Sequence, residues 1–152
     1  MILRLDHVGF ATDDSTRLSA LMRTLGLTEG ATGTADEYGV ACAFWATAAD
    51  RTCTAIELVS PTRADSAIAG QLTGGGGLYH VALEVDDLAG EQARLRRAGL
   101  VPVDRTPCNG ARAGMRVAFL YAPRPADLLV ELVAYTAPIP TAVPAPTEEK
   151  AP

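Results

Sequence analysis

The feature that most constrains the fold is an internal repeat, because both halves of the chain carry the same motifs in the same order. Residues 3–14 read Leu-Arg-Leu-Asp-His-Val-Gly-Phe-Ala-Thr-Asp-Asp, and residues 78–87 read Leu-Tyr-His-Val-Ala-Leu-Glu-Val-Asp-Asp. Each motif precedes a helical stretch that ends in Gly-Leu, at 26–27 and at 99–100. The chain is therefore expected to contain two copies of one supersecondary unit.

Each half opens with an alternating apolar run, which predicts a half-buried strand. The two aspartates that follow each run suit the N-cap of the next helix. In the first helix an apolar stripe falls on Leu18, Leu21, Met22 and Leu25. Further strands are predicted at 28–31, 39–46 and 53–59 in the first half, and at 101–104, 115–121 and 128–135 in the second. This β-α-β-β-β order predicts an α+β protein with largely antiparallel pairing, in modules of about 1–60 and 77–136.

The segment between the modules, 61–76, is predicted to be a linker with a short helix at 66–72 and a glycine run at 73–77. No Gly-Lys-Ser/Thr follows the glycines, so a hinge is favoured over a phosphate loop. Residues 137–152 are rich in Pro and Ala, which predicts a disordered tail.

Composition excludes several classes of protein. Lys+Arg 13 against Asp+Glu 18 gives 13 − 18 = −5 with no basic block, so nucleic-acid binding is not expected. The sequence has neither an apolar run of membrane-spanning length nor a signal-peptide h-region, so a cytoplasmic protein without membrane association is expected. Three cysteines without a CxxC pair indicate buried thiols rather than disulfides.

Four polar residues stand in strands where burial would favour apolar ones. His7 and His80 are 80 − 7 = 73 residues apart, and Glu57 and Glu131 are 131 − 57 = 74 apart. A carboxylate in an apolar strand is unfavourable unless it is paired or bound to a metal, and imidazole with carboxylate suits a divalent first-row ion. The alternative, satisfied strand histidines and solvent-facing glutamates, accounts less well for four residues at matched spacing.

These motifs resemble the vicinal oxygen chelate (glyoxalase-like) superfamily and, within it, the methylmalonyl-CoA epimerase family. The resemblance covers residues 3–136 and includes Asp-Glu-Tyr-Gly-Val at 36–40, Val-Ala-Phe-Leu-Tyr-Ala-Pro at 117–123 and Leu-Val-Glu-Leu at 129–132. It implies tandem βαβββ modules in a cupped mixed sheet around a metal site, and a homodimer.

The resemblance also implies the site and the reaction. One divalent ion per subunit (Co, Zn, Ni, Mn or Mg) would be held by His7, Glu57, His80 and Glu131. The reaction implied is epimerisation of a methylmalonyl-CoA-like dicarboxylic acyl-CoA by α-proton abstraction through a metal-stabilised enolate. Glu37 matches the position of the family's base, and Glu131 is the candidate for the second acid/base; an exposed loop acid is the alternative for Glu37.

Predicted substrate-binding residues are Tyr79, Arg112 and Tyr121. The tyrosines replace polar residues of the family and could instead belong to the core, and Arg112, a candidate cation for a CoA phosphate, could be a solvated surface residue.

Two other functions remain open on the sequence alone. One is another metal-dependent isomerase or lyase of the superfamily, acting in secondary metabolism. The other is a non-catalytic antibiotic-binding resistance protein, a class expected to lose the metal ligands and to carry more aromatics than the 5% found here.

Overall fold

The alternating runs of the repeat build one nine-stranded sheet in the computed structural model, which describes residues 1–48 and 52–136. The strands are β1 (Ile2–Ala11), β2 (Thr28–Ala35), β3 (Val40–Ala46), β4 (Ala55–Pro61), β5 (Gly77–Val85), β6 (Val101–Pro102), β7 (Cys108–Asn109), β8 (Met115–Ala122) and β9 (Leu128–Tyr135). The helices are α1 (Ser15–Thr24), α2 (Ala69–Thr73) and α3 (Leu88–Arg97).

The strand order reflects the repeat. It runs β2-β3-β4-β1-β5-β9-β8-β6, with the short β7 also pairing with β8. β1 and β5 pair antiparallel at the centre, and each pairs in parallel with the last strand of its own half, β4 or β9. The halves are thus related by a pseudo-two-fold axis between β1 and β5, and the predicted α+β fold with a mixed sheet is confirmed.

The two faces of the sheet have different roles. On the outer face, Met22 of α1 packs with Trp45 and Leu58, and α3 packs against the buried Leu120 and Leu132. On the inner face the buried apolar residues form two clusters, one from each half of the sheet. Since alternate residues point to opposite faces, Glu57 faces inward while its neighbour Leu58 packs under α1.

The predicted acidic helix caps are confirmed. The Asp14 side chain accepts a hydrogen bond from the Arg17 backbone N–H at 2.9 Å, and Asp87 accepts one from the Gly90 N–H at 3.0 Å. The buried apolar stripe on α1 is narrower than predicted, and Leu21 and Leu25 are exposed. Only the side of the helix that carries Leu18 and Met22 faces the sheet.

Several boundaries differ from the sequence expectations. β2 continues to Ala35 because it pairs with β3 along its length, and β7 was not expected. β4 begins at Ala55 rather than at 53, and α2 has only five residues. The three cysteines are free thiols, as predicted.

Two further expectations concern the C-terminal tail and membrane association. The predicted tail at 137–152 lies outside the described residues. No helix within the described ranges is long and apolar enough to cross a membrane.

Candidate metal centre and active site

The four polar strand residues meet at the centre of the inner face. The four central strands each contribute one side chain: Glu57 from β4, His7 from β1, His80 from β5 and Glu131 from β9. All four are buried, and one potential ligand atom from each lies within 4.8 Å of the others. The sequence predicted this convergence because the repeat places equivalent residues on either side of the pseudo-two-fold axis.

Interatomic distances in the cluster are short. The Nε2 atoms of His7 and His80 are 3.1 Å apart, and each lies 2.9–3.2 Å from Oε2 of Glu57 and of Glu131. Two ligands at right angles about one ion, each at about 2.1 Å, are about 3.0 Å apart. The cluster therefore has the spacing of ligand atoms that share a cation.

The carboxylates and imidazoles shift one another's pKa values. Burial alone would lower the pKa of His80, but Glu131 and Glu57 raise it to about 9. Burial alone would raise the pKa of Glu57, but His7 and His80 lower it well below its ordinary value. The site thus favours positive charge among its carboxylates, supplied by protons or by a metal ion.

A charge count favours a divalent ion. With neutral imidazoles the four side chains carry two negative charges, which one divalent cation balances. Oε2 of Glu131 is buried and has no hydrogen-bond partner in the described structure, although both Nε2 atoms are within 3.0 Å. A buried carboxylate oxygen needs a compensating partner, and a metal ion at this point would supply one.

Two β-bulges shape the surroundings of the histidines. On β1, the register with β5 shifts between Leu5 and His7, so Asp6 is an extra residue without a partner. On β5, the register shifts opposite Gly9 and Phe10, so Tyr79 is the extra residue there. Asp6 and Tyr79 each directly precede a histidine of the cluster. The side chain of each lies beside the following imidazole instead of on the opposite face.

Asp6 is a site residue that the sequence interpretation missed. Its carboxylate is fully buried, and Oδ2 accepts a hydrogen bond from Nδ1 of His7 at 2.7 Å. Burial would raise the pKa of Asp6, but His7, Arg112 and Arg4 together lower it. The available signal was an acid directly before a histidine in a mostly apolar strand.

A cavity opens over the cluster. Glu57, His80 and Glu131 provide its polar floor. Its walls are mostly apolar and come from both halves, with Tyr38, Val40, Cys42, Ile68, Tyr79, Ala111, Val117 and Phe119 among the lining residues. The cavity offers a substrate polar contacts at the cluster and apolar contacts elsewhere.

Of the three predicted substrate-binding residues, Tyr79 lines the cavity and Arg112 and Tyr121 do not. Tyr79 lines the cavity, and burial together with Glu131 raises its pKa to about 12. Arg112 is largely buried and pairs with Asp6, with its guanidinium 3.7 Å from the Phe44 ring centroid. Tyr121 is not among the cavity-lining residues and donates a hydrogen bond to Asp127.

Glu37 lies in the exposed turn between β2 and β3, next to the cavity-lining Tyr38. The Arg63 guanidinium donates to the backbone carbonyls of Asp36 at 2.8 Å and Glu37 at 3.2 Å. Gly39 completes the turn at φ 65°, and a β-carbon there would lie 2.6 Å from Nε of Arg63. The backbone of this turn is therefore held independently of the Glu37 side chain.

Close packing beneath His80 leads to a prediction for Gly9. A β-carbon on Gly9 would lie 2.2 Å from Cε1 of His80, so Gly9→Ala must displace the imidazole. We expect overpacking to lower the free energy of unfolding by about 1–3 kcal/mol and metal affinity to fall by about 10-fold or more. Metal titration and thermal unfolding measure these effects. Gly70→Ala, with no atom within 4 Å of the new carbon, is the matched control, and equal behaviour of the two variants would contradict the prediction.

Comparisons with known proteins give matches over most of the chain. A profile of the Glyoxalase/Bleomycin resistance protein/Dioxygenase superfamily matches residues 6–119. The ethylmalonyl-CoA/methylmalonyl-CoA epimerase of Cereibacter sphaeroides is 37% identical over 136 residues, which cover 87% of this chain and 98% of the relative.

Solved structures give the same result. Streptomyces coelicolor methylmalonyl-CoA epimerase in complex with 2-nitronate-propionyl-CoA superposes with a TM-score of 0.79 at 29% identity, covering 90% of this chain and 97% of that one. Methylmalonyl-CoA epimerase from Mycobacterium tuberculosis gives 0.77 at 30% identity, covering 90% of each chain. The repeat, the sheet and these matches show that the chain belongs to the Glyoxalase/Bleomycin resistance protein/Dioxygenase superfamily and, within it, to the methylmalonyl-CoA epimerase family of isomerases.

Proposed function

We propose that this protein is a metal-dependent epimerase that inverts the α-carbon of a small dicarboxylic acyl-CoA such as methylmalonyl-CoA. The observation that carries the proposal is the buried cluster of His7, Glu57, His80 and Glu131, of which the last three line a cavity with apolar walls. The relatives named above support the substrate class, since one is an epimerase of ethylmalonyl-CoA and methylmalonyl-CoA by its name.

The chemistry requires help because the proton next to a thioester is weakly acidic. A divalent cation, when bound, supplies Lewis-acid stabilisation of the negative charge that develops on the thioester oxygen. The four side chains of the cluster would hold that cation, and the apolar walls would limit the access of water to the α-carbon. The same walls suit the alkyl substituent of a branched acyl group.

Inversion needs one group that removes the α-proton and another that returns a proton on the opposite face. Glu37 is the proposed base on one side, carried by the turn that Arg63 holds and that contributes the neighbouring Tyr38 to the cavity lining. Glu131, on the floor of the cavity, is the proposed second group. Because Glu37 belongs to the first half of the repeat and Glu131 to the second, the two halves would each supply one acid/base group.

The proposed roles of the other predicted residues follow from their positions. Tyr79 lines the cavity, so contact with the acyl group is the role we propose for it. Binding of a CoA phosphate by Arg112 would require the pair between Arg112 and Asp6 to break. Tyr121 does not line the cavity and donates to Asp127, so its role in substrate binding stays a prediction. The homodimer, the cytoplasmic location and the module boundaries stay predictions.

Proton exchange tests the proposal directly. The metal-free protein, reloaded separately with Co²⁺, Zn²⁺, Ni²⁺, Mn²⁺ or Mg²⁺, is incubated in deuterium oxide with methylmalonyl-CoA or ethylmalonyl-CoA, and loss of the α-proton is followed by NMR. We expect metal-dependent exchange with both. Propionyl-CoA, which lacks the second carboxylate, is the matched control and should not exchange. Absence of metal-dependent exchange with both malonyl-type substrates would contradict the proposal.

A further inference from the structure

The two imidazoles of the cluster differ in what lies beside them. At the bulge on β1 the Asp6 carboxylate is 2.7 Å from Nδ1 of His7, whereas at the equivalent bulge on β5 the Tyr79 ring contacts His80 edge-on, with ring centroids 5.2 Å apart. Nδ1 of His80 is buried and has no hydrogen-bond partner among the described residues. The pseudo-two-fold symmetry of the cluster is therefore broken one residue before each histidine.

Three side chains in addition to His7 hold the Asp6 carboxylate. Arg4 donates to Oδ1 at 2.6 Å, and Arg112 donates to Oδ2 at 2.9 Å. The Tyr135 hydroxyl donates to Oδ2 at 3.2 Å and is itself hydrogen-bonded to Arg112 at 2.9 Å. These donors come from both halves of the sheet, so they fix the orientation of the carboxylate at Nδ1 of His7.

We propose that Asp6 is a positioning residue of the metal centre: by accepting a hydrogen bond from Nδ1–H of His7, it fixes the imidazole tautomer that presents the Nε2 lone pair to the ion. A carboxylate behind a metal-ligating histidine orients the ring and raises its basicity. Nε2 of His7 already points to where Nε2 of His80 and both glutamate Oε2 atoms meet. His7 is then the imidazole anchored by a hydrogen bond at Nδ1, whereas His80 is held by packing against its neighbours.

Arg112 links this support to the wall of the cavity. It lies in the loop between β7 and β8, in which Gly110 and Ala111 line the cavity. The Ala111 carbonyl oxygen packs against Gly33 of the opposite half so closely that a β-carbon on Gly33 would lie 2.0 Å from it. The ion pair between Arg112 and Asp6, 9% exposed at Arg112 and fully buried at Asp6, therefore connects this loop to the support of His7.

This inference rests on the metal centre of the proposed function but not on its reaction, so metal affinity is the quantity to measure. Asp6→Asn is compared with Glu84→Gln, which removes a carboxylate from the same network, where Glu84 pairs with Arg4 at 2.7 Å. We expect the zinc dissociation constant of Asp6→Asn to rise by about 10- to 100-fold, the usual effect of losing such a partner, and that of Glu84→Gln to stay at the wild-type value.

A second measurement uses only the wild-type protein, in case Asp6→Asn does not fold. The chain contains only two histidines, so imidazole ¹⁵N spectra of the zinc-loaded protein are simple to interpret. We expect a slowly exchanging proton on Nδ1 of His7. Rapid exchange of that proton, or equal zinc affinities of Asp6→Asn and wild type, would overturn the role of Asp6. A wild-type protein that binds no zinc, cobalt or other divalent ion would instead overturn the metal centre itself.

Discussion

Replacement of His80 by alanine is expected to remove the metal ion while leaving the sheet folded. His80 provides one of four converging ligand atoms, and its Nε2 lies 3.0–3.1 Å from both glutamate Oε2 atoms. Its loss opens the cluster on the cavity side and should lower metal affinity by more than about 100-fold, beyond the effect typical of a supporting residue. Metal content after dialysis, determined by elemental analysis, measures the effect.

Thermal unfolding provides a second measurement of the same loss. An ion at 100 times its dissociation constant stabilises a folded protein by about 2.7 kcal/mol, so added metal should raise the Tm of the wild type but not of His80→Ala. Tyr79→Phe is the matched control, since it changes the neighbouring residue on β5 but keeps the ring that contacts His80. Full metal occupancy in His80→Ala would show that the four-ligand assignment is wrong.

Glu37→Gln is expected to lower the rate of α-proton exchange by about 100-fold or more, the scale of a lost general base. The substitution keeps the size of the side chain and removes its basicity. The turn should not move, because Arg63 bonds to backbone carbonyls and not to the Glu37 carboxylate. Metal content should therefore equal that of the wild type, which separates this variant from His80→Ala.

Asp36→Asn is the control for Glu37→Gln, because Asp36 is the neighbouring exposed acid in the same turn. We expect its exchange rate to match the wild type. If Glu37→Gln exchanged at the wild-type rate, Glu37 would be a surface acid only. If its exchange fell for one stereoisomer alone, the second acid/base would be another residue, and Glu131 would be the first to test.

Much of this architecture could be predicted from the sequence, because residues at matching positions of the repeat occupy equivalent places in the two halves of the sheet. His7 and His80 occupy the same place in two equivalent strands, so a sheet with a pseudo-two-fold axis must bring them together. The apolar residues on both sides of Glu57 and Glu131 indicated that each carboxylate lies in a largely buried strand. These inferences need only the period of a strand and the symmetry of a duplication.

The role of Asp6 could not be predicted in the same way. Strict alternation would place Asp6 on the face opposite His7, and only the bulge at that position brings both side chains inward. A bulge depends on how the partner strand fits and leaves no fixed signature in local sequence. The pairing of Arg112 with Asp6 has the same origin, since it joins residues 106 positions apart that no local pattern relates.

The position of β9 in the sheet has a consequence for biosynthesis. β9 lies between β5 and β8, so β8 and the short strands beside it join the central strands only through this late segment, Leu128–Tyr135. While the ribosome still holds that segment, the nascent chain can pair β1 with β4 and β5, but it lacks Glu131 and leaves one edge of β5 open. Unpaired strand edges promote association between chains, and pairing of distant strands is slow. Three of the four ligands would then be present without Glu131, and pairing of β9 with β5 would both cover the open edge and complete the cluster.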